Sequence, residues 1–359
     1  MKIIRGALVY EDYKYLYNKK FIVNDNFETK QIQPSSVDLT LSNECYEIKA
    51  SFLSNKISIR DYLKEIKIKK INLTKEYIFK KNKIYLIKLN EYLNLPKQIF
   101  GVCNPKSSTG RLDIFCRTIL NHSNEYEKIP LNYNGEIFIE ITSRSFDIKF
   151  KEGDSLNQMR LIYNNHNYVN DIDLINFHRK KFLTLNNNNE KIMPNIQKGL
   201  KISVDLSLDN AINGYIAKKN APTLNFRKIK YHKTQDFWNK IKSKNGRIII
   251  KKNKFYILKS KEKIQIPNNM AGEMIPYDTS IGDFRVHYAG FFDPGFGNNF
   301  GSYAVLEIKT NEVSFVLEDG QSIARIKYEK LNKPSTKLYG KELKSNYQNQ
   351  KLALSKHFV

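Results

Sequence analysis

Residues 106–111 read Lys-Ser-Ser-Thr-Gly-Arg and connect two extended apolar runs, Ile99–Cys103 and Leu112–Cys116. This turn combines two cations, three hydroxyls and one glycine. Hydroxyl groups, backbone N–H groups and a forked guanidinium are the donors that hold polyphosphate oxygens. Many turns of this composition are only solvated turns, so its interpretation depends on the rest of the chain.

Composition indicates a globular protein. The 359 residues are 41% hydrophobic and 12% aromatic, which is enough for two domains with proper cores. Apolar runs such as Ile248–Ile250 are strand-sized, so we expect no membrane span, and the start of the chain lacks the apolar region of a secretory signal. The three cysteines are far apart and form no CxxC pair, which predicts a reducing cytoplasm.

The formal charge is +24, from 60 Lys and Arg residues against 36 Asp and Glu residues. A basic chain suits either nucleic acid or a polyanionic small substrate. The lysines are scattered along the chain and are not massed in one arm. Their distribution therefore argues against nucleic acid as a partner.

Short runs of β-branched and aromatic residues with a period of two follow a helical lead-in at Tyr10–Tyr17. The clearest runs are Ser36–Leu41, Lys83–Leu89, Glu136–Thr142 and Phe146–Phe150. Many short strands with turn residues between them predict a mainly β protein, built as a barrel or a sandwich.

The chain also repeats itself. Ser36–Leu39 recurs as Ser203–Leu206, and Phe138–Ile141 recurs in type as Val305–Ile308, both 167 residues later. Ordered matches at one offset predict a tandem duplication of a β-rich unit. We therefore divide the chain into copy one (1–170), a linker (171–198) that contains four consecutive asparagines, copy two (199–332), and a tail (333–359). The tail lacks an apolar period, so we expect it to be mobile unless a ligand orders it.

Three motifs in order resemble those of the dCTP deaminase family: Gln33–Leu39, Lys106–Arg111, and Asp293–Phe296 followed by Val305–Glu307. The tail from Tyr339 resembles that family's C-terminal segment, and the two-copy form is similar to the longer enzymes of alphaproteobacterial type. This resemblance implies two dUTPase-like distorted β-barrel or jelly-roll units and a homo-oligomer with active sites between subunits. It also implies hydrolytic deamination of dCTP to dUTP and ammonia, which would supply dUTP for dTTP synthesis.

Each copy departs from the family pattern. Copy one keeps the turn but has Pro130 where the Asp-Pro-Gly-Phe motif would begin. Copy two keeps Asp293–Phe296, but its turn has become Thr279–Asp283, in which an acid replaces the cation and would repel phosphate. In the family the turn and the nucleoside pocket come from neighbouring subunits. We therefore predict one composite site, with the turn of copy one and the pocket of copy two; the alternative is that one copy has decayed and the other carries a whole site.

The chain lacks the HxE and PCxxC signatures of zinc deaminases, and its six histidines are dispersed, so we expect no catalytic zinc. A carboxylate must then take a proton from water and pass it to the ring. Our candidate is Glu307, whose pKa a partly apolar pocket would raise, with Glu140 as the fallback. A glutamate in a strand otherwise lies on a solvated face.

The resemblance assigns further roles. Ser107 and Arg111 would act with Glu307 in catalysis, and Mg²⁺ would accompany the triphosphate, which it bridges without a protein cage. Asn346 replaces a family lysine, for which Lys344 could substitute. We predict that the substrate is bound by Lys106, Ser107, Ser108, Arg111, Asp293, Phe296, Val305, Tyr339, Asn346 and Gln350.

Within this group, Lys106, the two serines and Arg111 would hold phosphate, and Asp293 would accept the deoxyribose 3′-hydroxyl. The tail residues would close over the nucleotide, and dTTP is a candidate inhibitor. Two rival functions remain open from the sequence. One is a dUTPase-like or bifunctional diphosphohydrolase that gives dUMP, and the other is a non-catalytic nucleotide-binding or nucleic-acid-binding protein.

Overall fold

The computed structural model describes residues 5–275, 284–287, 290–310, 312–341, 347 and 350–359. The altered turn Thr279–Asp283 and the tail residues Lys344 and Asn346 lie outside the described residues. None of the described helices is long and apolar enough to cross a membrane.

Helices are few and short. They are α1 Tyr10–Asn18, α2 Ile59–Ile66, α3 Ser107–Gly110, α4 Asp171–Lys180 and α5 Thr234–Phe237, with a 3-10 turn at Thr29–Gln31. The predicted helical lead-in corresponds to α1. It begins after Val9, whose N–H donates to the Asp12 carboxylate at 3.0 Å as in a capping box.

Copy one contains two main sheets. Its strands are β1 Gly6–Ala7, β2 Ile22–Val23, β3 Val37–Leu39, β4 Leu41–Ile48, β5 Lys67–Asn72, β6 Tyr77–Phe79, β7 Ile84–Asn94, β8 Ile99–Pro105, β9 Ile114–Leu120, β10 Lys128–Ile129, β11 Asn134–Ser143, β12 Ile148–Phe150 and β13 Asn157–Tyr163. One sheet has the order β1-β13-β8-β10, with β3 also paired to β13, and the other has the order β5-β4-β7-β11-β9, with β2 also paired to β7. The predicted strand runs fall on β3 and β4, β7, β11 and β12.

Copy two repeats this arrangement. Its strands are β14 Thr184–Leu185, β15 Leu200–Ser203, β16 Gly214–Ala217, β17 Leu224–Asn225, β18 Trp238–Ile241, β19 Arg247–Ile250, β20 Phe255–Ile264, β21 Met270–Ile275, β22 Phe284–His287, β23 Phe291–Phe292, β24 Ser302–Thr310, β25 Phe315–Glu318 and β26 Ser322–Lys330. The sheet orders are β15-β26-β21-β23 and β18-β16-β20-β24-β22, with β14 paired to β20. Both sheets repeat the strand order of copy one, except that among the described strands β26 pairs on one side with β15 alone, where β13 pairs with both β1 and β3. This repetition confirms a mainly β tandem duplication.

The segment predicted as a linker is partly ordered structure. It contains α4 and β14, and Leu174 and Leu183 lie in the core of copy two. α4 begins after Asn170, whose side chain accepts the Asp173 N–H at 2.8 Å. Apolar contacts therefore join this segment to copy two. The four consecutive asparagines, on which the prediction of a linker was based, give no sign of these contacts.

The end of the tail also differs from the expected mobile segment. Phe358 packs against Trp238 and Phe237, with ring centroids 5.9 and 5.3 Å apart. The His232 N–H donates to the His357 carbonyl at 3.0 Å, and the Val359 N–H donates to the His232 carbonyl at 3.0 Å. Residues at the end of the chain are therefore fixed to copy two by apolar packing and backbone hydrogen bonds.

The two copies pack closely against each other. β17 of copy two pairs in parallel with β12 of copy one. Val305 and Trp238 of copy two lie in the core cluster of copy one. The Lys309 ammonium lies 3.2 Å from the buried Asp113 carboxylate across the boundary. These contacts place β24 between the two cores and bring the turn of copy one towards copy two.

Candidate active site between the two copies

A cavity of about 740 Å³ lies between the two copies within one chain. Ten of the predicted site residues line it: Lys106, Ser107, Ser108, Arg111, Asp293, Phe296, Val305, Glu307, Tyr339 and Gln350. A cavity of this size suits a small-molecule ligand such as a nucleotide. The structure thus brings the turn of copy one and the Asp-Pro-Gly-Phe segment of copy two into one site.

The Lys106–Arg111 turn forms α3 between β8 and β9. The Thr109 hydroxyl donates to the Leu156 carbonyl at 2.8 Å, which fixes the turn to the loop residue just before β13. The Ser108 carbonyl accepts the Ser355 hydroxyl at 2.8 Å, so the tail also holds the turn. Lys106 forms an ion pair with Asp38, and Ser107 is half-buried in the cavity wall. These contacts hold the turn in place, so its side chains and backbone N–H groups lie at fixed positions in the cavity wall.

Arg111 connects the turn, the tail and the candidate base. Its side chain is 3% exposed, and its Nη2 donates to Gln350 Oε1 at 2.8 Å. Its Nη1 donates to the Ala353 carbonyl at 3.2 Å, and its guanidinium lies 3.9 Å from the centre of the Tyr347 ring. Its Nε lies 4.0 Å from Glu307 Oε1. Arg111 can therefore hold the closed tail and act on the charge of Glu307.

Glu307 points from β24 into the cavity. Ala304, Leu306 and Ile308 lie in the core of copy two, so Glu307 shares the opposite face with Val305. Burial raises the pKa of Glu307 from 4.5 to about 8, and the positive charge of Arg111 opposes this rise. A carboxyl that titrates near neutral pH can both accept and donate a proton.

Asp293 provides a buried hydrogen-bond acceptor. Its Oδ1 lies 3.7 Å from Arg160 Nη2 and has no hydrogen-bond donor among the described residues. Burial raises the pKa of Asp293 to about 6, against the positive charge of Arg160. A hydroxyl group of a ligand would satisfy this acceptor.

The turn after Asp293 requires a glycine. Gly295 has a φ of +92°, and a Cβ there would lie 3.1 Å from the Leu338 side chain. Because glycine has no Cβ, the chain can approach closely here, and the Tyr339 N–H donates to the Pro294 carbonyl at 2.9 Å. The Tyr339 and Phe296 rings then lie 5.7 Å apart at the cavity wall.

Several cavity residues were not singled out as candidate site residues. Asp38 belongs to the Gln33–Leu39 motif and is repeated as Asp205, so this repetition could have identified it. Lys356 lies in the tail, and burial together with the charge of Lys106 lowers its pKa. Gln158 of β13 also lines the cavity, and we find no sequence signal for it.

The counterpart of Glu307 in copy one has a different environment. Glu140 is 2% exposed, and its Oε1 accepts Arg117 Nη2 at 2.6 Å. The Tyr126 ring centre lies 3.8 Å from that guanidinium. Arg117 therefore occupies the space beside Glu140, whereas Glu307 faces the cavity.

Comparison with known proteins agrees with this organisation. Residues 4–165 match the N-terminal domain and residues 170–358 match the C-terminal domain of 2′-deoxycytidine 5′-triphosphate deaminase. The crystal structure of 2′-deoxycytidine 5′-triphosphate deaminase from Agrobacterium tumefaciens is 34% identical and has a TM-score of 0.86, covering 91% of this chain and 99% of that chain. A dCTP deaminase of Ignicoccus hospitalis is 26% identical over 137 residues, which is 35% of this chain and 66% of that protein. The chain belongs to the 2′-deoxycytidine 5′-triphosphate deaminase family, a family of enzymes.

Proposed function

We propose that this protein is a dCTP deaminase that hydrolyses dCTP to dUTP and ammonia and so supplies dUTP for dTTP synthesis. Membership of the family supports the reaction class. The observation that carries the proposal is the placement of Arg111 of copy one 4.0 Å from Glu307 of copy two in one cavity. The site needs both copies and lies within a single chain.

The triphosphate lies at the Lys106–Arg111 turn. Lys106, Arg111 and Lys356 contribute positive charge there, and the serine hydroxyls of the turn contribute donors. The charge of Lys106 lowers the pKa of Lys356 because the two ammonium groups repel each other. An anion that binds between them compensates this repulsion. Lys356 takes the phosphate-binding role for which the sequence alone offered Asn346 or Lys344.

The nucleoside lies along copy two. Asp293 accepts the 3′-hydroxyl through the Oδ1 atom that lacks a donor among the described residues. Phe296 and Tyr339 pack near the sugar, and Val305 contacts the base beside Glu307. This orientation sets the cytosine next to the buried carboxyl.

The reaction requires a proton to move from water to the ring. The Glu307 carboxylate removes a proton from a water molecule that Ser107 orients, and the resulting hydroxide attacks C4. Glu307 then donates that proton to N3, which gives a tetrahedral intermediate with a hydroxyl and an amino group on C4. The proton of this hydroxyl moves to the amino group, the C4–N bond breaks to release ammonia, and the C4 carbonyl of dUTP forms. Burial keeps the Glu307 pKa in the range where both transfers are feasible.

We further propose that Mg²⁺ binds with the triphosphate and that dTTP competes for the same cavity. The acidic side chain next to the turn, Asp38, is already paired with Lys106. Among the described residues, no group of three or more His, Cys, Asp or Glu side chains could hold a metal ion, which fits a metal ion carried by phosphate oxygens. A cytoplasmic location and a homo-oligomer stay predictions.

The test is to incubate the purified protein with dCTP and Mg²⁺ and to measure ammonia and nucleotide products together. We expect equal amounts of ammonia and dUTP. Release of dUMP and pyrophosphate would instead indicate the diphosphohydrolase. Binding of dCTP without any release of ammonia would contradict the proposal.

A further inference from the structure

A second cavity, of about 490 Å³, adjoins the first. Gln350 lines both cavities. One face of β24 also runs along both, since Tyr303 lines the second cavity and Val305 and Glu307 line the first. We call it the lysine cavity because Lys259, Lys263 and Lys351 line it.

The lysine cavity carries more positive than negative charge. Lys259 is paired with the buried Asp205. The Lys263 ammonium instead donates to two neutral oxygens, the Asn187 carbonyl at 3.1 Å and Asn189 Oδ1 at 2.7 Å. Lys351 forms no ion pair with an acidic side chain in the described part of the chain. Burial lowers the pKa of Lys263, and the charges of Lys351 and Lys259 lower it further.

Aromatic rings complete the cavity. The Tyr303 ring centre lies 4.3 Å from the Lys259 ammonium and 5.6 Å from the Lys263 ammonium. Its hydroxyl donates to Asn187 Oδ1 at 2.5 Å, so the ring is held in place. Phe300 is 61% exposed and also lines the cavity. Fixed cations beside aromatic rings are suited to phosphate groups attached to a flat organic body.

We propose that the lysine cavity is a second binding site, for a small molecule that carries phosphate groups. Lys263 and Lys351, which pair with no acidic side chain among the described residues, attract an anion into a walled cavity, and the anion relieves their mutual repulsion. This binding step goes beyond the proposed deaminase activity and does not depend on it.

The site is placed to control the tail. Gln350 Nε2 donates to the Tyr303 carbonyl at 2.8 Å, and its N–H donates to the Ser302 hydroxyl at 3.2 Å. Its Oε1 accepts from Arg111 in the first cavity. Because Lys351 follows Gln350, an anion held by Lys351 and Lys263 fixes Gln350 against Arg111. Binding of the anion and fixing of the tail do not depend on the proposed function; only a resulting change in deaminase turnover would rest on it.

Calorimetric titration of the full chain with inorganic tripolyphosphate tests the binding site. We expect two binding events, one in each cavity. The double variant Lys263→Gln/Lys351→Gln weakens one event about tenfold or more, as expected for the loss of charge-assisted contacts. Lys106→Gln weakens the other. Lys259 is left intact because its removal would strand the buried Asp205.

Lys261→Gln is the matched control, since Lys261 is on the same strand but pairs with Asp319 and does not line the cavity. A repeat with ATP separates phosphate recognition from recognition of a whole nucleotide, which would bind more tightly through the aromatic rings. If the double variant and Lys261→Gln gave the same two events, the site would be refuted.

Hydrogen exchange tests whether binding in the lysine cavity fixes the tail. In the Lys106→Gln variant, tripolyphosphate should slow exchange of the Gln350 amide, and unchanged exchange would refute control of the tail.

Discussion

Replacing Glu307 with glutamine should abolish turnover and leave dCTP binding largely intact. Glutamine preserves the shape of the side chain but cannot take a proton from water. Positioned acid–base groups contribute a factor of roughly 10² to 10⁴ in rate, which is about 3 to 5 kcal/mol of the activation barrier. We therefore expect kcat to fall at least about a hundredfold. Binding should change little because the phosphate contacts come from the turn of copy one and from Lys356 of the tail.

The same substitution should change stability in a pH-dependent way. In the folded protein the Glu307 pKa rises from 4.5 to about 8, which amounts to about 5 kcal/mol as an upper figure. Because the folded state holds this proton more tightly, the contribution of Glu307 to the free energy of unfolding falls as pH rises from 4.5 to 8. Glu307→Gln should thus be more stable than the wild type at pH ~9 and similar to it at pH ~5, as urea denaturation would show.

Ammonia release measures the rate, and calorimetry with dCTP measures binding. Glu140→Gln is the matched control, since Glu140 is the equivalent residue of copy one and pairs with Arg117. That variant should lose stability because a buried ion pair is broken, yet it should keep its kcat. If Glu307→Gln turned over at nearly the wild-type rate while Glu140→Gln were inactive, the base would be assigned to the wrong copy.

Other predictions test neighbouring parts of the site. Arg111→Ala should raise the KM for dCTP at least about tenfold, because it removes a charge-assisted phosphate contact and the hydrogen bond to Gln350; unchanged steady-state kinetics would remove the turn from the site. Asp293→Asn should reduce the preference for dCTP over its 3′-deoxy analogue, measured as the ratio of kcat/KM values, and an unchanged ratio would exclude the 3′-hydroxyl contact. The kcat/KM of the wild type should rise with pH and level off above about 8 as Glu307 loses its proton; a flat profile through that range would contradict a base with this pKa. Lys356→Gln should raise the KM for dCTP while Lys261→Gln, at an ion pair outside both cavities, does not, and equal KM values would exclude Lys356 from phosphate binding.

Period-two patterns and the repeated motifs were sufficient to predict the duplicated β fold, because each pattern and each copy of a motif lies within a few consecutive residues. They could not predict that β24 is buried on both faces, since that depends on Val305 meeting the core of copy one. The high pKa of Glu307 follows from this packing between copies.

The tail was harder to predict for the same reason. Phe358 packs against Trp238, and Ser355 donates to the Ser108 carbonyl, across sequence separations that no local pattern encodes. Arg160 is similar: it is 1% exposed and donates from Nη1 to the Gly272 carbonyl of copy two at 3.0 Å. A charged residue in a strand suggests a solvated surface, and only the assembled fold shows the carbonyl groups that surround it.

The most direct test that the site forms within one chain is complementation between two inactive variants. Such a site requires Arg111 and Glu307 of the same chain to act on one nucleotide. Co-expressed Arg111→Ala and Glu307→Gln chains should therefore show no more deaminase activity than either variant alone. Recovery of about a quarter of the wild-type activity, the share expected when random pairs of chains build each site, would show that the site is assembled between chains and would contradict a site within one chain.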